Sequence, residues 1–347
     1  MSTQDIEITN PSLTLSDVNW LGEARESGLV SVVIPTYNRT TLLIEAMDSV
    51  FKQTYRPIEL IIVDDGSEVD TKSLVDEWKQ HYPDHESFNT VFLKQNNRGP
   101  SAARNFGARV SHGEYLQFHD SDDLLLPDKL SDAVNAYRQD QTVDLVYCAW
   151  IVKTNDRSLT MPGPDLEQFP FVAEVVLRYL PTFPALYKCS VLNRAGPWNE
   201  ALTCSEDREY DARIVSQIRK AKRIQNPGGI YRLHVSTNGI SGDGNPRHPI
   251  SAWHANKLMR SLVLHESSPL QREALNSLSA RNLSNAARAL GNGSRQYCCK
   301  ILLSDLRIWL LSARNAFLAT GLLFGTILPK PFQQLLVGYI EPRIWNK

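Results

Sequence analysis

Four short apolar segments alternate with segments of helical spacing between residues 29 and 118. The apolar segments are rich in β-branched side chains, which is typical of buried strands, and the segments between them carry apolar residues three or four positions apart. This alternation indicates βαβ units and predicts an α/β fold with a doubly wound sheet. The predicted strands are Leu29–Pro35, Glu59–Val63, Thr90–Leu93 and Glu114–Phe118, and the predicted helices are Thr41–Gln53, Lys72–His81 and Ser101–Ser111.

The pattern after residue 145 predicts two more strands and then a mainly helical region. Leu145–Trp150 and Phe183–Tyr187 are short and apolar, whereas Glu206–Lys220 has helical spacing. The segment Gly239–Pro249 is rich in Gly, Asn and Pro, which is typical of a linker. We therefore predict three regions, namely a flexible arm over residues 1–28, an α/β domain over 29–245 and a helical C-terminal region over 250–347.

The C-terminal region contains the apolar segment Asn315–Leu328, which is shorter than the roughly 20 residues that a membrane span needs. An apolar and mildly basic helical region suits the interface of a membrane, where one face of the helix meets lipid. The same pattern suits a helical bundle packed on the domain, or a contact between subunits. The sequence leaves both interpretations open, and only the first predicts peripheral contact with a membrane.

Composition narrows the class of protein and its location. The chain of 347 residues has a formal net charge of −1, so we expect no nucleic-acid partner, because such proteins usually carry a basic surplus. Five cysteines without a CxxC pair favour a reducing compartment over a disulfide framework or a zinc site. The polar N-terminus shows no signal peptide, so we expect a cytoplasmic protein, on the inner face of the membrane if the tail binds lipid.

The strongest chemical signal is the acidic cluster Asp120-Ser121-Asp122-Asp123, which follows a predicted strand. Clustered carboxylates repel one another and need a cation or hydrogen-bond donors nearby. Hard oxygen ligands suit Mg²⁺ or Mn²⁺, which one or two carboxylates commonly share with substrate phosphates. The alternative is a solvated turn in which an Asp caps the next helix, with Pro127 in its first turn.

Two more polar clusters follow predicted strands, and the carboxyl ends of strands are where open α/β sheets bind ligands. Asp64-Asp65-Gly66-Ser67 suits hydrogen bonds to a nucleoside, although an Asp-Gly turn explains it equally well. In Asn97–Asn105, we expect Ser101 to cap a helix and leave backbone N–H groups free for an anion beside Arg98 and Arg104. The chain has neither GxGxxG nor a P-loop motif.

Two later clusters are weaker when each is taken alone. Glu206 and Asp207 open a predicted helix, where the helix dipole alone favours acidic residues. Tyr231-Arg232-Leu233-His234 ends on a lone histidine, which is more often structural than a ligand.

The ordered clusters look like the motifs of family 2 glycosyltransferases. The similar segments are Val32–Arg39, Ile62–Ser67, Gly99–Asn105 and Asp120–Asp123, followed by Glu206-Asp207 and Tyr231–His234. The resemblance covers roughly residues 29–240 and implies a GT-A fold, whose nucleotide-binding sheet is flanked by helices, with the mainly helical C-terminal extension outside it. It implies transfer of a sugar with inversion at the anomeric carbon, and a divalent cofactor, Mn²⁺ or Mg²⁺. A UDP-sugar is favoured as the donor, and a glycan or a lipid-linked molecule is expected as the acceptor. Surface polysaccharide, lipopolysaccharide or another glycan is the expected product.

The resemblance also implies a role for individual residues. Asp207 becomes the general base, Glu206 orients the acceptor or Asp207, and Asp122 holds the metal on the diphosphate. His234 reaches the diphosphate or its metal. The nucleotide sugar is held by Pro35, Thr36, Tyr37, Asn38, Asp65, Arg104, Asp120 and Ser121.

Two other functions remain open from the sequence. A sugar nucleotidyltransferase also uses an α/β sheet and a metal, but such enzymes look to have a glycine-rich basic loop where this chain has Pro35–Asn38. A non-catalytic module that binds nucleotide or carbohydrate is the other alternative. The presence of both Asp122 and Asp207 argues against it, because binding alone does not need them.

Overall fold

The computed structural model describes residues 20–21, 25–154, 157–168, 171–233, 248–305, 313–328, 330, 333–334 and 336–337. The chain divides into two compact units, which we call the sheet unit and the helical unit. The sheet unit comprises the described residues of Met1–Pro162, Thr182–Glu200 and Arg219–Leu233, and the helical unit comprises those of Gly163–Pro181, Ala201–Ile218 and His234–Lys347.

In its described residues the sheet unit contains two sheets and five helices, and elements are numbered in chain order. The seven-stranded sheet has the order β10-β6-β9-β4-β1-β2-β3, and the four-stranded sheet has the order β5-β11-β7-β8. The strands are β1 Glu26–Thr36, β2 Ile58–Asp64, β3 Phe88–Lys94, β4 Gly113–Phe118, β5 Leu124–Leu125, β6 Leu145–Cys148, β7 Trp150–Lys153, β8 Ser158–Met161, β9 Leu186–Lys188, β10 Ala221–Ile224 and β11 Gly229–Arg232. The helices are α1 Thr41–Phe51, α2 Thr71–His81, α3 Pro100–Val110, α4 Lys129–Gln139 and α6 Cys189–Ala195.

The first four strands of the large sheet form the predicted parallel core. β1 pairs in parallel with β2 and β4, and β2 pairs in parallel with β3, whereas β9 is antiparallel to both of its neighbours. β2 is buried along its whole length, as expected for a strand covered on both faces. Helix α3 lies close to this sheet at Gly107, where an added Cβ atom would come within 2.5 Å of a Val33 methyl carbon. Only glycine therefore allows this close approach.

The helical unit is built from α5 Val172–Leu177, α7 Glu206–Ser216, α8 His248–Leu264, α9 Gln271–Gly291, α10 Arg295–Ser304 and α11 Ala313–Gly325. Its hydrophobic core includes Trp253, Leu283, Leu290 and Ile301, all 4% exposed or less. The predicted helical character of the C-terminal region is confirmed. Among the described residues, no helix is long and apolar enough to cross a membrane.

Several predicted elements differ from the observed ones. The predicted strand Leu145–Trp150 is two strands, β6 and β7, which belong to different sheets and are separated at Ala149. The predicted helix Glu206–Lys220 ends at Ser216, because the chain turns into β10 from Ala221. The strand predicted at Phe183–Tyr187 is shifted to β9. Helices α4, α5 and α6 and strands β5, β8, β10 and β11 were not among the predicted elements.

The observed units also divide the chain differently from the predicted regions. Segments 163–181 and 201–218 belong to the helical unit although they lie inside the predicted 29–245 domain. Trp20, in the predicted arm, is buried, and its Nε1 donates to the Leu192 carbonyl oxygen at 3.0 Å. Residues 1–19 and most of the predicted linker lie outside the described residues, so the three-region division stays a prediction.

Candidate active site

Three polar clusters lie along one edge of the large sheet. In the register of the parallel strands, Thr36 of β1 lies opposite Asp64 of β2, and Val33 of β1 lies opposite Phe118 of β4. The residues that follow β1, β2 and β4 therefore leave the sheet at the same edge. This is the edge where open α/β sheets bind ligands.

The loop after β1 presents one exposed side chain and uses another internally. Tyr37 is 46% exposed, whereas Thr36 is buried and its hydroxyl has no hydrogen-bond partner among the described residues. Asn38 adopts a left-handed conformation with φ +50°. Its N–H donates to Ser67 Oγ at 2.8 Å, and its side-chain oxygen accepts from the N–H of Glu68 at 2.8 Å. Asn38 therefore joins the loops after β1 and β2.

Asp65, after β2, is buried and holds the loop that precedes α3. Its Oδ1 accepts from Gln95 Nε2 at 2.7 Å and from the N–H of Arg98 at 2.8 Å, and its Oδ2 accepts from the N–H of Gly99 at 2.8 Å. Burial raises the pKa of Asp65, and these hydrogen bonds oppose the shift. Asp65 thus fixes the β3–α3 loop against the end of β2.

These contacts change part of the arrangement expected at the start of α3, and the anion site itself stays a prediction. The N–H groups of Arg98 and Gly99 are donated to Asp65 and are not free for a ligand. The Arg98 side chain pairs with Glu200 at 2.6 Å. The helix cap is Gly99, at φ +91°, and α3 begins at Pro100, so the predicted capping role of Ser101 is wrong.

Arg104 of α3 reaches the acidic cluster after β4. Its Nη2 donates to Asp120 Oδ1 at 2.7 Å, and its guanidinium lies 4.4 Å from the ring centroid of Trp198. Burial by itself would raise the pKa of Asp120. The charge and hydrogen bond of Arg104, together with a hydrogen bond from the Thr182 side chain, oppose burial, and the net result is a lowered pKa. Asp120 is therefore a fixed, ionised acceptor.

Asp122 forms its ion pair with a different arginine, Arg39. Its Oδ2 pairs with Arg39 Nη1 at 2.7 Å, and the two side chains are 23% and 25% exposed. The next residue, Asp123, is buried and accepts from the N–H of Arg232 at 3.0 Å. Burial, followed by the charges of Asp120 and Asp122, raises the pKa of Asp123 well above its usual range. Asp122 is thus the more accessible carboxylate of the two, whereas Asp123 is a structural one.

A hard divalent cation at this cluster would have Asp122 as a protein ligand and would need further ligands from a substrate. Within the described part of the chain, no group of three His, Cys, Asp or Glu side chains is arranged to hold a metal. Mg²⁺ is usually held by one or two carboxylates together with phosphate oxygens, and Asp122 can supply such a ligand. The buried neighbour His119 has its pKa lowered by burial to about 3, so its imidazole is neutral. His234 lies outside the described residues.

The remaining predicted residues of the sheet unit line the same edge. Pro35 lies opposite Val63 in the register of β1 and β2, and Ser121 is buried between the two aspartates of the cluster. The predicted nucleotide-binding side chains of this unit therefore share one sheet edge. The contribution of each to ligand binding stays a prediction.

The helical unit, taken by itself, contains a carboxylate pair at the start of α7. Asp207 Oδ2 accepts from the hydroxyl of Tyr179 at 2.6 Å, and its Oδ1 accepts from the N–H of Arg208 at 2.8 Å. Glu206 is buried at the first position of the helix. The residue before it, Ser205, has φ +59°, so the chain turns sharply into α7. Two hydrogen bonds therefore fix the orientation of the half-buried Asp207 carboxylate.

The sequence did not single out several of these partners. Arg39 stood within the first motif but received no role, and Thr182, Trp198 and Tyr179 carry no local signal. Each contacts a predicted site residue that is distant in the chain, as Tyr179 does across 28 residues. In the sequence, only the positive charge of Arg39, two residues after Tyr37, indicated such a partner.

The family model described as Glycosyl transferase family 2 matches residues 31–196. The match begins in β1 and ends directly after α6. It therefore includes Thr36, Asp65, Arg104 and the Asp120–Asp123 cluster, but not Glu206 or Asp207.

Curated relatives agree with this match over part of their length. An uncharacterized glycosyltransferase from Nostoc sp. is 28% identical over 61% of this chain and 67% of the relative. An uncharacterized glycosyltransferase from Rickettsia typhi is 35% identical over 53% of this chain and 57% of the relative. The minor teichoic acid biosynthesis protein GgaB from Bacillus subtilis is 35% identical over 33% of this chain and 13% of the relative. The chain thus spans two thirds or less of most of these proteins.

Solved structures resemble almost the whole chain. The crystal structure of S. aureus TarS 1-349 in complex with UDP-GlcNAc superposes with a TM-score of 0.61 and 16% identity, over 88% of this chain and 90% of that one. The mannosyltransferase PcManGT from Pyrobaculum calidifontis, in complex with GDP-Man and Mn²⁺, gives a TM-score of 0.52 and 21% identity, over 93% and 89%. At these identities the likeness shows the fold, and it confirms the predicted α/β sheet of GT-A type with a helical C-terminal region.

Proposed function

Because residues 31–196 of this chain belong to glycosyl transferase family 2, we propose that the protein moves a sugar from a nucleoside-diphosphate sugar to an acceptor hydroxyl, with inversion. The observation that carries the proposal is the alignment of the residues after β1, β2 and β4 at one sheet edge. That alignment gathers an exposed aromatic ring, buried hydrogen-bonding groups and an accessible carboxylate. Nucleotide binding needs this combination.

We propose that the sheet unit holds the donor. The exposed ring of Tyr37 covers the nucleoside, and the unpaired hydroxyl of buried Thr36 supplies a hydrogen bond. Asp120 accepts from the ribose, since Arg104 keeps it ionised. Asp65 acts by fixing the adjoining loop, because its oxygens already accept three hydrogen bonds. Asp122 holds a divalent cation, which supplies Lewis-acid stabilisation of the diphosphate when bound.

We propose that the helical unit supplies the base. The acceptor hydroxyl loses its proton to Asp207 as its oxygen forms a bond to the anomeric carbon, and the bond from that carbon to the diphosphate oxygen breaks. The nucleoside diphosphate leaves with the electron pair, so the anomeric configuration inverts. The Tyr179 hydroxyl orients the carboxylate. Glu206, buried one residue earlier, supports this end of α7.

A UDP-sugar as donor and a surface glycan as product are the finer parts of the proposal. The TarS structures hold UDP and UDP-GlcNAc, whereas PcManGT holds GDP-Man with Mn²⁺, so the fold accommodates both classes of donor. The similarity to a teichoic acid biosynthesis protein supports a surface-glycan product. A cytoplasmic location stays a prediction from the sequence.

Calorimetric titration of UDP, GDP, CDP and dTDP tests the proposed donor site. We expect one nucleotide, UDP, to bind at least tenfold more tightly than the others in the presence of Mn²⁺ or Mg²⁺, because direct hydrogen bonds to one base are worth about 1.4 kcal/mol or more. EDTA should weaken this binding. If folded protein binds none of the four nucleotides with or without metal, the transferase proposal fails and a non-catalytic module replaces it.

We also propose that helix α11 touches a lipid surface. Phe317 and Phe324 are two helical turns apart on one face and are 71% and 66% exposed, and Ile327 beyond the helix is 73% exposed. Such an apolar face suits the boundary between headgroups and acyl chains.

Sedimentation with vesicles of neutral and anionic phospholipids tests this contact. The double variant Phe317→Ser and Phe324→Ser should bind vesicles about 100-fold more weakly or worse, since burying each ring is worth about 1.5–3 kcal/mol and the variant removes two of them. Leu159→Ser, at a residue 63% exposed in the sheet unit, is the control and should bind as the wild type does. Equal binding by all three proteins would contradict the proposed contact.

A further inference from the structure

Two arginines of the helical unit, Arg208 of α7 and Arg281 of α9, have no acidic partner among the described residues. The Nη1 atom of each is buried and lacks a hydrogen-bond partner. By contrast, the other arginine of α7, Arg213, pairs with Glu209 at 2.5 Å. A buried guanidinium N–H without a partner is unfavourable, and an anion bound during function would supply the missing acceptor for both arginines.

The two guanidinium groups contact the same short segment of chain, because Arg281 bonds Val176 and Arg208 lies over the ring of Tyr179, three residues later. Burial, followed by the charge of Arg208, lowers the pKa of Arg281 to about 9. The Arg281 Nη2 atom donates to the Val176 carbonyl oxygen near the end of α5, which anchors that side chain. The Arg208 guanidinium lies 4.7 Å from the centroid of the Tyr179 ring. Both positive charges therefore lie along the segment from Val176 to Tyr179, and neither guanidinium forms an ion pair with a carboxylate among the described residues.

This pair lies beside Asp207. Arg208 follows Asp207 in the chain and donates its N–H to the Asp207 carboxylate, and the ring on which Arg208 stacks carries the hydroxyl bonded to the same carboxylate. All of these residues belong to the helical unit. An anion bound by the two arginines would therefore lie next to the carboxylate proposed as the base.

We propose that Arg208 and Arg281 bind a phosphate group carried by the acceptor, close to the hydroxyl that receives the sugar. This inference rests on the proposed role of Asp207 as the base. A base that assists in-line displacement acts on the side opposite the leaving diphosphate, so an anion beside Asp207 belongs to the acceptor and not to the donor. Planar guanidinium groups bind phosphate oxygens with paired hydrogen bonds. Rotation of the half-buried Arg208 side chain brings its Nη1 to the ligand.

Titration of inorganic phosphate, followed by NMR or calorimetry, tests the site without knowledge of the acceptor. The full chain is first saturated with Mg²⁺ and the nucleoside diphosphate that it binds, so that the donor site is filled. Phosphate should bind with a dissociation constant of about 1 mM, and Arg208→Gln or Arg281→Gln should weaken it about tenfold or more. The control is Arg272→Gln, which removes an exposed positive charge from the same helix as Arg281 and should leave binding unchanged.

The conservative variant Arg208→Lys distinguishes a loss of phosphate binding from a loss of folding. Arg208→Lys keeps the charge but not the paired hydrogen bonds, so phosphate binding should fall between that of the wild type and that of Arg208→Gln. Arg208 is half-buried and its side chain caps no helix, so its variants test the site even if Arg281→Gln unfolds. Equal phosphate binding by wild type and Arg208→Gln would overturn the proposal.

Other outcomes distinguish this inference from the proposed function. If phosphate binds only when nucleotide is absent, its site is that of the donor diphosphate and the inference fails while the transferase proposal stands. Acetate binding more tightly than phosphate would also overturn the assignment to phosphate. Failure of every nucleotide to bind, in contrast, is a failure of the proposed function.

Discussion

Asp207→Asn should lower the rate of sugar transfer about 10³-fold while the affinity for the nucleotide stays unchanged. The amide cannot take the proton of the attacking hydroxyl. It is nevertheless nearly the same shape, and it can keep both present contacts. Its oxygen can still accept from the N–H of Arg208, and its NH₂ group can donate to the Tyr179 hydroxyl oxygen in place of the bond that Asp207 accepts.

Release of nucleoside diphosphate from the donor sugar measures this effect even with water in place of the acceptor. Calorimetry on the same protein gives the nucleotide affinity. Glu273→Gln, which removes an acidic charge in the first turn of α9, is the control and should keep both quantities. Transfer within tenfold of the wild type, or a loss of nucleotide affinity, would contradict the assignment of Asp207 as base.

Asp122→Ala should remove the metal-dependent part of nucleoside diphosphate binding. We expect the dissociation constant in Mn²⁺ to rise about 100-fold, which corresponds to about 2.7 kcal/mol, because the cation loses its protein carboxylate. EDTA should weaken the wild type by a similar factor and should have little further effect on the variant. This pattern would show that the carboxylate and the cation act through the same contact.

The control for this experiment is Asp76→Ala. Asp76 forms an ion pair with Lys72, as Asp122 does with Arg39, but the Asp76 pair is more exposed and lies on α2, away from the carboxyl ends of the strands. Its removal should leave nucleotide binding unchanged. If Asp122→Ala binds nucleotide as tightly as the wild type in Mn²⁺, Asp122 is not the metal ligand, and its pairing with Arg39 is structural.

Local pattern was sufficient for the parallel core but not for the elements around it. β1, β2 and β4 were predictable because a strand covered on both faces needs an uninterrupted apolar segment. The segment Leu145–Trp150 has the same pattern, yet it divides at Ala149 between two sheets. Which sheet a residue joins depends on the neighbouring strands, and the segment itself does not contain that information. Helix α4 buries Leu130, Ala133, Val134 and Tyr137. This helical spacing is present in the sequence, although α4 was not among the predicted elements.

The position of the loop before α3 was predicted correctly, but the partners of its backbone N–H groups were not. The sequence correctly placed a polar loop and a helix start at this edge of the sheet. It did not indicate that Asp65 would accept the N–H groups of Arg98 and Gly99. A backbone donor takes whichever acceptor the fold brings nearest, and that acceptor comes from the neighbouring strand end.

The sequence by itself determined the family motifs, the parallel core and the edge of the sheet at which the polar clusters meet, because these follow from short-range periodicity and from strand direction. Only the tertiary structure decided how each carboxylate is paired. Arg104 fixes Asp120, Arg39 holds Asp122 and Tyr179 orients Asp207, through contacts between segments far apart in the chain. The tertiary structure alone likewise shows that the Nη1 atoms of Arg208 and Arg281 have no hydrogen-bond partner among the described residues. Whether a charge has a partner depends on distances between side chains, and those distances are fixed only when the helices pack.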